Sequence, residues 1–164
     1  MLHHNHIFTS TPPYKALPNW LDKLNFTHFV TLTFNQNLYH RPDQILEYAR
    51  DKIKFFHAKL DRCLLGSNWY KKSKEERTLF IAFPEKIPVN MHYHALIKIS
   101  EKNDSRFNAN AERIWTSIVP SGTYDCKFLK YAPDKKGLIS YATKEQFKNV
   151  NFNHTIISSE FLNI

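Results

Sequence analysis

Glycine is almost absent, with three residues in 164. That scarcity leaves no glycine-rich loop to cradle nucleotide phosphates, so a nucleotide-driven helicase or ATPase core is excluded from this stretch. Cysteine is scarce too. Cys63 and Cys126 stand far apart in different contexts, so no disulfide framework is expected, a reducing compartment fits, and each reads as a small buried hydrophobe. No apolar run approaches the length needed to span a bilayer. The start lacks a charged segment followed by an apolar one, so no signal peptide is expected. Repeats and low-complexity tracts are missing as well. The remainder is one domain's worth of chain with ordinary apolar and aromatic content, enough for a core without staples.

What is present in excess is positive charge, +8 overall with a pI near 9.5. A basic domain of this size suits a polyanion such as nucleic acid. The lysines do not gather on one face of an amphipathic helix, which argues against a membrane surface.

Residues 1–18 read as an irregular arm, with His3, His4 and His6 followed by Thr-Pro-Pro and Leu17-Pro18; residues 19–164 read as the folded domain. Residues 28–34 alternate as a strand, Val30, Leu32 and Phe34 on one face and Phe29, Thr31 and Thr33 on the other. Residues 43–65 keep the three-to-four spacing of a long amphipathic helix, with Pro42 at its start and Gly66 at its end. Residues 78–83 and 91–99 read as strands, 108–119 as a helix with Asn108 as N-cap, 123–131 as a strand, 134–148 as a helix, and 153–158 as a last strand. The order predicts an α+β fold: a central antiparallel sheet of four to five strands in the split βαβ arrangement of ferredoxin-like and RNA-recognition domains. Helices are expected on one face and the other face free.

The chemistry gathers at residues 85–96. On the strand at 91–99, Met91, Tyr93, Ala95, Ile97 and Ile99 form an apolar row, so His92, His94, Leu96 and Lys98 lie on the opposite face. Glu85 stands just upstream, and the Ile87-Pro88 segment lets the chain bend it back toward the rings. Two imidazoles and a carboxylate can hold a divalent metal with coordination positions left open. Magnesium and manganese are the usual ions for phosphoryl chemistry, and imidazole tilts the choice toward manganese. Tyr141 and Lys144 share a helical face, with Lys148 a turn beyond. A tyrosine hydroxyl can form an ester with phosphorus, and Lys144 can orient the phosphate or favour the phenolate. Trp69, Tyr70, Lys71 and Lys72 place aromatics among lysines in a loop, a pattern suited to stacking on bases and contacting phosphates. Lys98, on the histidines' face, with Thr33 and Lys148, completes the candidate DNA contacts.

These residues carry a family resemblance. Val30-Thr-Leu-Thr-Phe-Asn35, His92-Tyr93-His94 with Glu85 before it, and Tyr141-Ala-Thr-Lys144 stand in the order seen in HUH-superfamily replication initiators. The chain resembles the single-tyrosine Rep nucleases of rolling-circle plasmids and small single-stranded DNA viruses. The resemblance implies a single-stranded DNA endonuclease and strand transferase. Tyr141 would attack the origin DNA or hairpin and stay linked to the 5′-phosphate, with Glu85, His92 and His94 holding Mn2+ or Mg2+. It further implies a helicase and polymerase supplied separately, a monomer in isolation, and residence in a bacterial cytoplasm or in the host compartment where viral DNA replicates. A single-tyrosine transposase of insertion sequences is the nearest alternative; those typically carry glutamine where this chain has Lys144. A non-catalytic RNA-recognition-like module would want central aromatics rather than imidazoles. A non-haem iron oxygenase shares the ligand set but usually sits in a jelly-roll barrel.

Overall fold

The computed structural model describes residues 13–35, 41–87, 89–149 and 154–161. Among these residues are four α-helices and five strands: α1 (Pro13–Lys23), β1 (His28–Thr33), α2 (Pro42–Leu65), β2 (Leu79–Glu85), β3 (His92–Lys98), α3 (Asp104–Ile118), β4 (Tyr124–Phe128), α4 (Lys135–Asn149) and β5 (Ile156–Ile157). The strands form one sheet in the order β4-β1-β3-β2-β5. Every pairing is antiparallel, so β1 and β2 run in the same direction with β3 inserted between them. This is the expected split βαβ unit and the expected α+β class.

The period of two along β1 and β3 decides what each face meets. Val30 and Leu32 of β1, with Phe34 just beyond it, join Tyr93, Ala95 and Ile97 of β3 in the larger core cluster, against Ile45, Ala49, Ile53 and Phe56 of α2 and Phe107, Ala111 and Trp115 of α3. Trp115 is fully buried there, edge-on to both Phe34 and Phe56. Burial of such aromatics contributes roughly 2–3 kcal/mol each.

The second face is not free. Phe29, Ile81, Phe83 and Leu96 point to it and pack with Leu21 of α1 and with Ile139 and Ala142 of α4. The sheet is therefore covered on both sides, by α2 and α3 on one and by α1 and α4 over part of the other. The physical reason lies in Phe29, Ile81, Phe83 and Leu96, too much apolar surface on one side of a sheet to leave wet. The arm expected at residues 1–18 is likewise shorter: Pro13 to Lys23 is helical, because Leu17, Leu21 and Leu24 repeat at helical spacing and bury on that face. Residues 1–12, with His3, His4 and His6, lie outside the described residues, as does Pro88.

Local corrections have local causes. The N-cap of α3 is Asn103 rather than Asn108, since a short 3-10 turn over Glu101–Asn103 leads straight into the helix. The Asn108 amide instead donates to the Asp104 carbonyl one turn back, 2.9 Å. Cys63 and Cys126 are free, as expected, but only half-buried. Among the described residues no helix is long and apolar enough to cross a membrane.

Candidate metal centre and nucleophile

β2 runs two residues further than expected and so carries Glu85 on the sheet itself. Glu85 is the cross-strand partner of His92, and Phe83 that of His94. Direct partners bring their Cβ atoms within roughly 5 Å, and the diagonal neighbour lies within reach of a glutamate side chain. No bend of the Ile87 segment is needed. Register alone brings the carboxylate to both rings.

The geometry is tight. Glu85 Oε2 lies 2.6 Å from His94 Nε2 and 3.2 Å from His92 Nε2. One ligand atom from each of the three residues falls within a 4.8 Å cluster. Glu85 Oε1 accepts from Lys144 Nζ at 2.8 Å. Glu85 and His94 are buried, and His92 is partly so. Burial alone would raise the Glu85 carboxyl. Hydrogen bonds from Lys144 and His94, with the charge of the histidines, outweigh it and hold the group at about 2. Burial pushes His94 below the usual imidazole range, against the pull of Glu85. Lys144 is held above its ordinary value: desolvation opposes this, but the contacts with Glu85 and Tyr141 prevail.

The protons test whether these donors fit a cation. His92 Nδ1 lies 3.0 Å from the Asn90 carbonyl oxygen. A carbonyl can only accept, so Nδ1 carries the hydrogen, and a neutral His92 presents a lone pair at Nε2. That lone pair faces Glu85 Oε2, also an acceptor, so the pair needs a cation or a proton between them. Asn90 adopts a left-handed backbone (φ 55°) on the approach to β3, a conformation asparagine tolerates. His94 Nδ1 lies 3.1 Å from the Thr31 hydroxyl, the partner that leaves Nε2 turned toward Glu85. The two imidazoles and the carboxylate thus fit a divalent ion, and the group can hold one.

α4 brings Tyr141 and Lys144 to the cluster. Tyr141 is 46% exposed; its ring stands edge-on to His94 with centroids 4.9 Å apart and lies 6.4 Å from Phe29. The Lys144 ammonium sits 3.7 Å from the Tyr141 ring centroid. One turn of helix therefore gives a half-exposed hydroxyl-bearing ring and a cation that bridges it to the ligand carboxylate. A groove of about 940 Å3 opens in front, lined by Thr31, Thr33, His92, His94 and Tyr141 and by Asp125 and Lys127 of the edge strand β4.

The remaining candidates separate. Thr33 stands in the groove opposite His92 in register, its hydroxyl accepting from the Thr123 N–H at 2.8 Å. Lys98 pairs with Leu79 at the other end of the β2–β3 ladder, about 20 Å from His92 at strand rise. The Trp69–Lys71 turn lies at that far end too. The Trp69 ring carries the Arg77 guanidinium at 4.7 Å, Lys72 pairs with Glu76 at 3.0 Å, and Tyr70 and Lys71 are exposed. Those residues are not brought to the metal cluster. Lys148 lies near the end of α4, and its side chain falls outside the described residues. Sequence reasoning passed over Thr31, Phe29 and the Asn90 carbonyl. Thr31 was findable, since it shares the face of Thr33 and falls opposite His94.

No family model, curated protein or solved structure matches this chain, so the functional reading rests on the geometry of the site and on the three motifs.

Proposed function

We propose that this protein is a metal-dependent endonuclease and strand transferase for single-stranded DNA, of the HUH replication-initiator type, with Tyr141 as nucleophile. The observation that carries the reading is the placement of Tyr141, half-exposed at a groove, against His94 and under Lys144, in a basic chain.

Glu85, His92 and His94 would hold Mn2+ or Mg2+, which when bound supplies Lewis-acid polarisation of the scissile phosphate. Tyr141 Oη forms a bond to phosphorus as the bond from phosphorus to the 3′ oxygen breaks. The phenolic proton passes to solvent, and the departing 3′ oxygen takes a proton from water to become a hydroxyl. The product is a 5′-phosphotyrosyl ester, one phosphodiester exchanged for another, so a 3′-hydroxyl can attack in reverse and rejoin the strand. Lys144, cationic at neutral pH, does not serve as the base; it places positive charge beside the tyrosine and the phosphate. Initiation of rolling-circle replication, with helicase and polymerase supplied by other proteins, follows from the same reading. The cover that α1 and α4 give the second face supports it over an RNA-recognition-like module, which needs that face bare.

The test uses the purified chain, Mn2+ and a pool of single-stranded oligonucleotides with randomised centres, read as a covalent adduct that survives SDS. Wild type is expected to form the adduct and Tyr141→Phe to form none. An adduct in Tyr141→Phe, or none in wild type with either Mn2+ or Mg2+, overturns the assignment.

A further inference from the structure

The groove's outer wall is also the rim of the sheet. β4 has β1 on one side and, among the described residues, no strand on the other. The Thr33 N–H donates to the Thr123 carbonyl at 3.0 Å, and the Leu129 N–H to the Thr27 carbonyl at 2.9 Å. Antiparallel pairs alternate in what their backbones face. Asp125 and Lys127, at even steps between those two residues, therefore also turn their N–H and C=O groups to β1. Tyr124, Cys126 and Phe128 turn theirs outward, and such an open row is a template for another strand.

The side chains alternate too. Asp125 and Lys127 are exposed and line the groove. Tyr124, Cys126 and Phe128 lie on the α3 side, where Tyr124 and Cys126 pack on the larger core and the Phe128 ring stands 4.6 Å from that of His28. Proteins often guard an edge with one charged side chain, lysine above all, because two copies then repel. This edge carries a lysine and an aspartate two residues apart, so what it repels depends on register.

A two-fold axis sets a strand antiparallel to its own copy. The outward groups of two copies meet only if the axis passes through Asp125, Cys126 or Lys127. Centred on Asp125, the strands oppose two carboxylates; centred on Lys127, they oppose two ammonium groups. Centred on Cys126, Asp125 faces the partner's Lys127 and Lys127 faces the partner's Asp125. Both charge pairs then fall at positions without mutual hydrogen bonds, where side chains stand closest. The same register is the one that pairs all of Tyr124, Cys126 and Phe128, and it sets Phe128, 36% exposed, beside the partner's Tyr124 as a cross-strand aromatic pair.

We propose that β4 is a self-association edge: it pairs with β4 of a second copy about a two-fold axis at Cys126, joining the two sheets into one. Both grooves then open on the same face, and each rim is completed by the partner's Lys127 and Asp125. The two His94 residues stand five strand spacings apart, about 24 Å. This is a dimer, where the family resemblance implies a monomer. It concerns assembly and stands apart from the nuclease reading.

The test is sedimentation equilibrium of the purified chain in EDTA and a thiol reductant, which exclude metal bridging and disulfides. One strand a side makes a small interface, so wild type is expected to dimerise at roughly 10–100 μM. Asp125→Lys and Lys127→Asp each set like charges across the axis and are expected to weaken the dimer more than about tenfold. An equimolar mixture of these two variants restores both opposite-charge pairs and is expected to recover a heterodimer of near wild-type strength, as is the double exchange Asp125→Lys with Lys127→Asp in one chain. Recovery on mixing also shows that both single variants are folded. Wild type that stays monomeric to about ten times the expected range, single variants that associate as wild type does, or a mixture that stays monomeric overturns the proposal. Adduct formation by a monomer removes the dimer and leaves the nuclease; a dimer that forms no adduct leaves the interface and removes the nuclease.

Discussion

Adding manganese to the metal-free protein should raise its Tm, and the size of the rise follows from the site. A ligand that binds only the folded state stabilises by RT ln(1 + [L]/Kd), about 2.7 kcal/mol at a hundred times Kd. For a chain of 164 residues, an unfolding entropy of about 2.1 cal/mol/K per residue makes 1 kcal/mol equal to about 3 °C. Saturating manganese should then raise Tm by about 8 °C over an EDTA baseline. Magnesium at equal concentration should give less, because two of the three donors are imidazoles. The perturbation is Glu85→Gln. It removes the one anionic donor, whose Oε2 stands within 3.2 Å of both rings, and should cancel most of the shift. Its own metal-free baseline drops, because Lys144 and His94 lose their anionic partner. Differential scanning calorimetry of each variant against its own EDTA scan reads both quantities. An equal manganese shift in Glu85→Gln, or none in wild type at millimolar manganese, would refute the three-residue site.

Lys144→Ala should bind manganese more tightly, by roughly two- to fivefold, because the ammonium that holds Glu85 Oε1 no longer competes; the modest size reflects a partly solvated ion pair. The same variant should lose most adduct formation, and titration calorimetry beside the adduct assay checks the opposite signs. Stability of the metal-free protein should rise from pH 5 to pH 7. His57 is buried against Phe80, Phe161, Asp61, Arg77 and the Thr78 carbonyl, and burial holds it below its ordinary value despite the pull of Asp61. Its pKa is lower folded than unfolded, so the unfolded chain binds more protons in that window. Stability is complete above about 6.5 and falls as pH drops below it. His28 and His94 add in the same direction, and His57→Gln should flatten the slope of the urea midpoint against pH without abolishing it.

The part of the fold most legible in the sequence was the part governed by periodicity. The apolar row from Met91 to Ile99 placed both histidines on the opposite face, and β3 obeys it. The 24-residue helix α2 declared itself by its spacing. What stayed hidden depended on partners distant in sequence. The burial of Leu21 against Ile139 and Ala142 needs α1 and α4 to meet, and no local pattern announces that. A bend at Ile87 is not what brings Glu85 to the histidines; a period of two carried from Ile81 through Phe83 places it there directly. The lysines and aromatics at 69–72 formed an attractive pattern for nucleic acid, yet only three-dimensional distance separates them from the site.

One consequence of the sheet register concerns failure rather than function. Glu85 and His92 are ladder partners, and His94 faces Thr31 on the other flank. A β3 displaced by one residue would turn both imidazoles into the layer occupied by Phe56 and Trp115 and bring Tyr93 and Ala95 to the groove. Such a chain could be compact and largely helical as usual, yet it would possess no ligand cluster. The site thus acts as a proofreader of strand pairing: a misregistered molecule has no place for the ion, and the proposed cleavage would be lost with it.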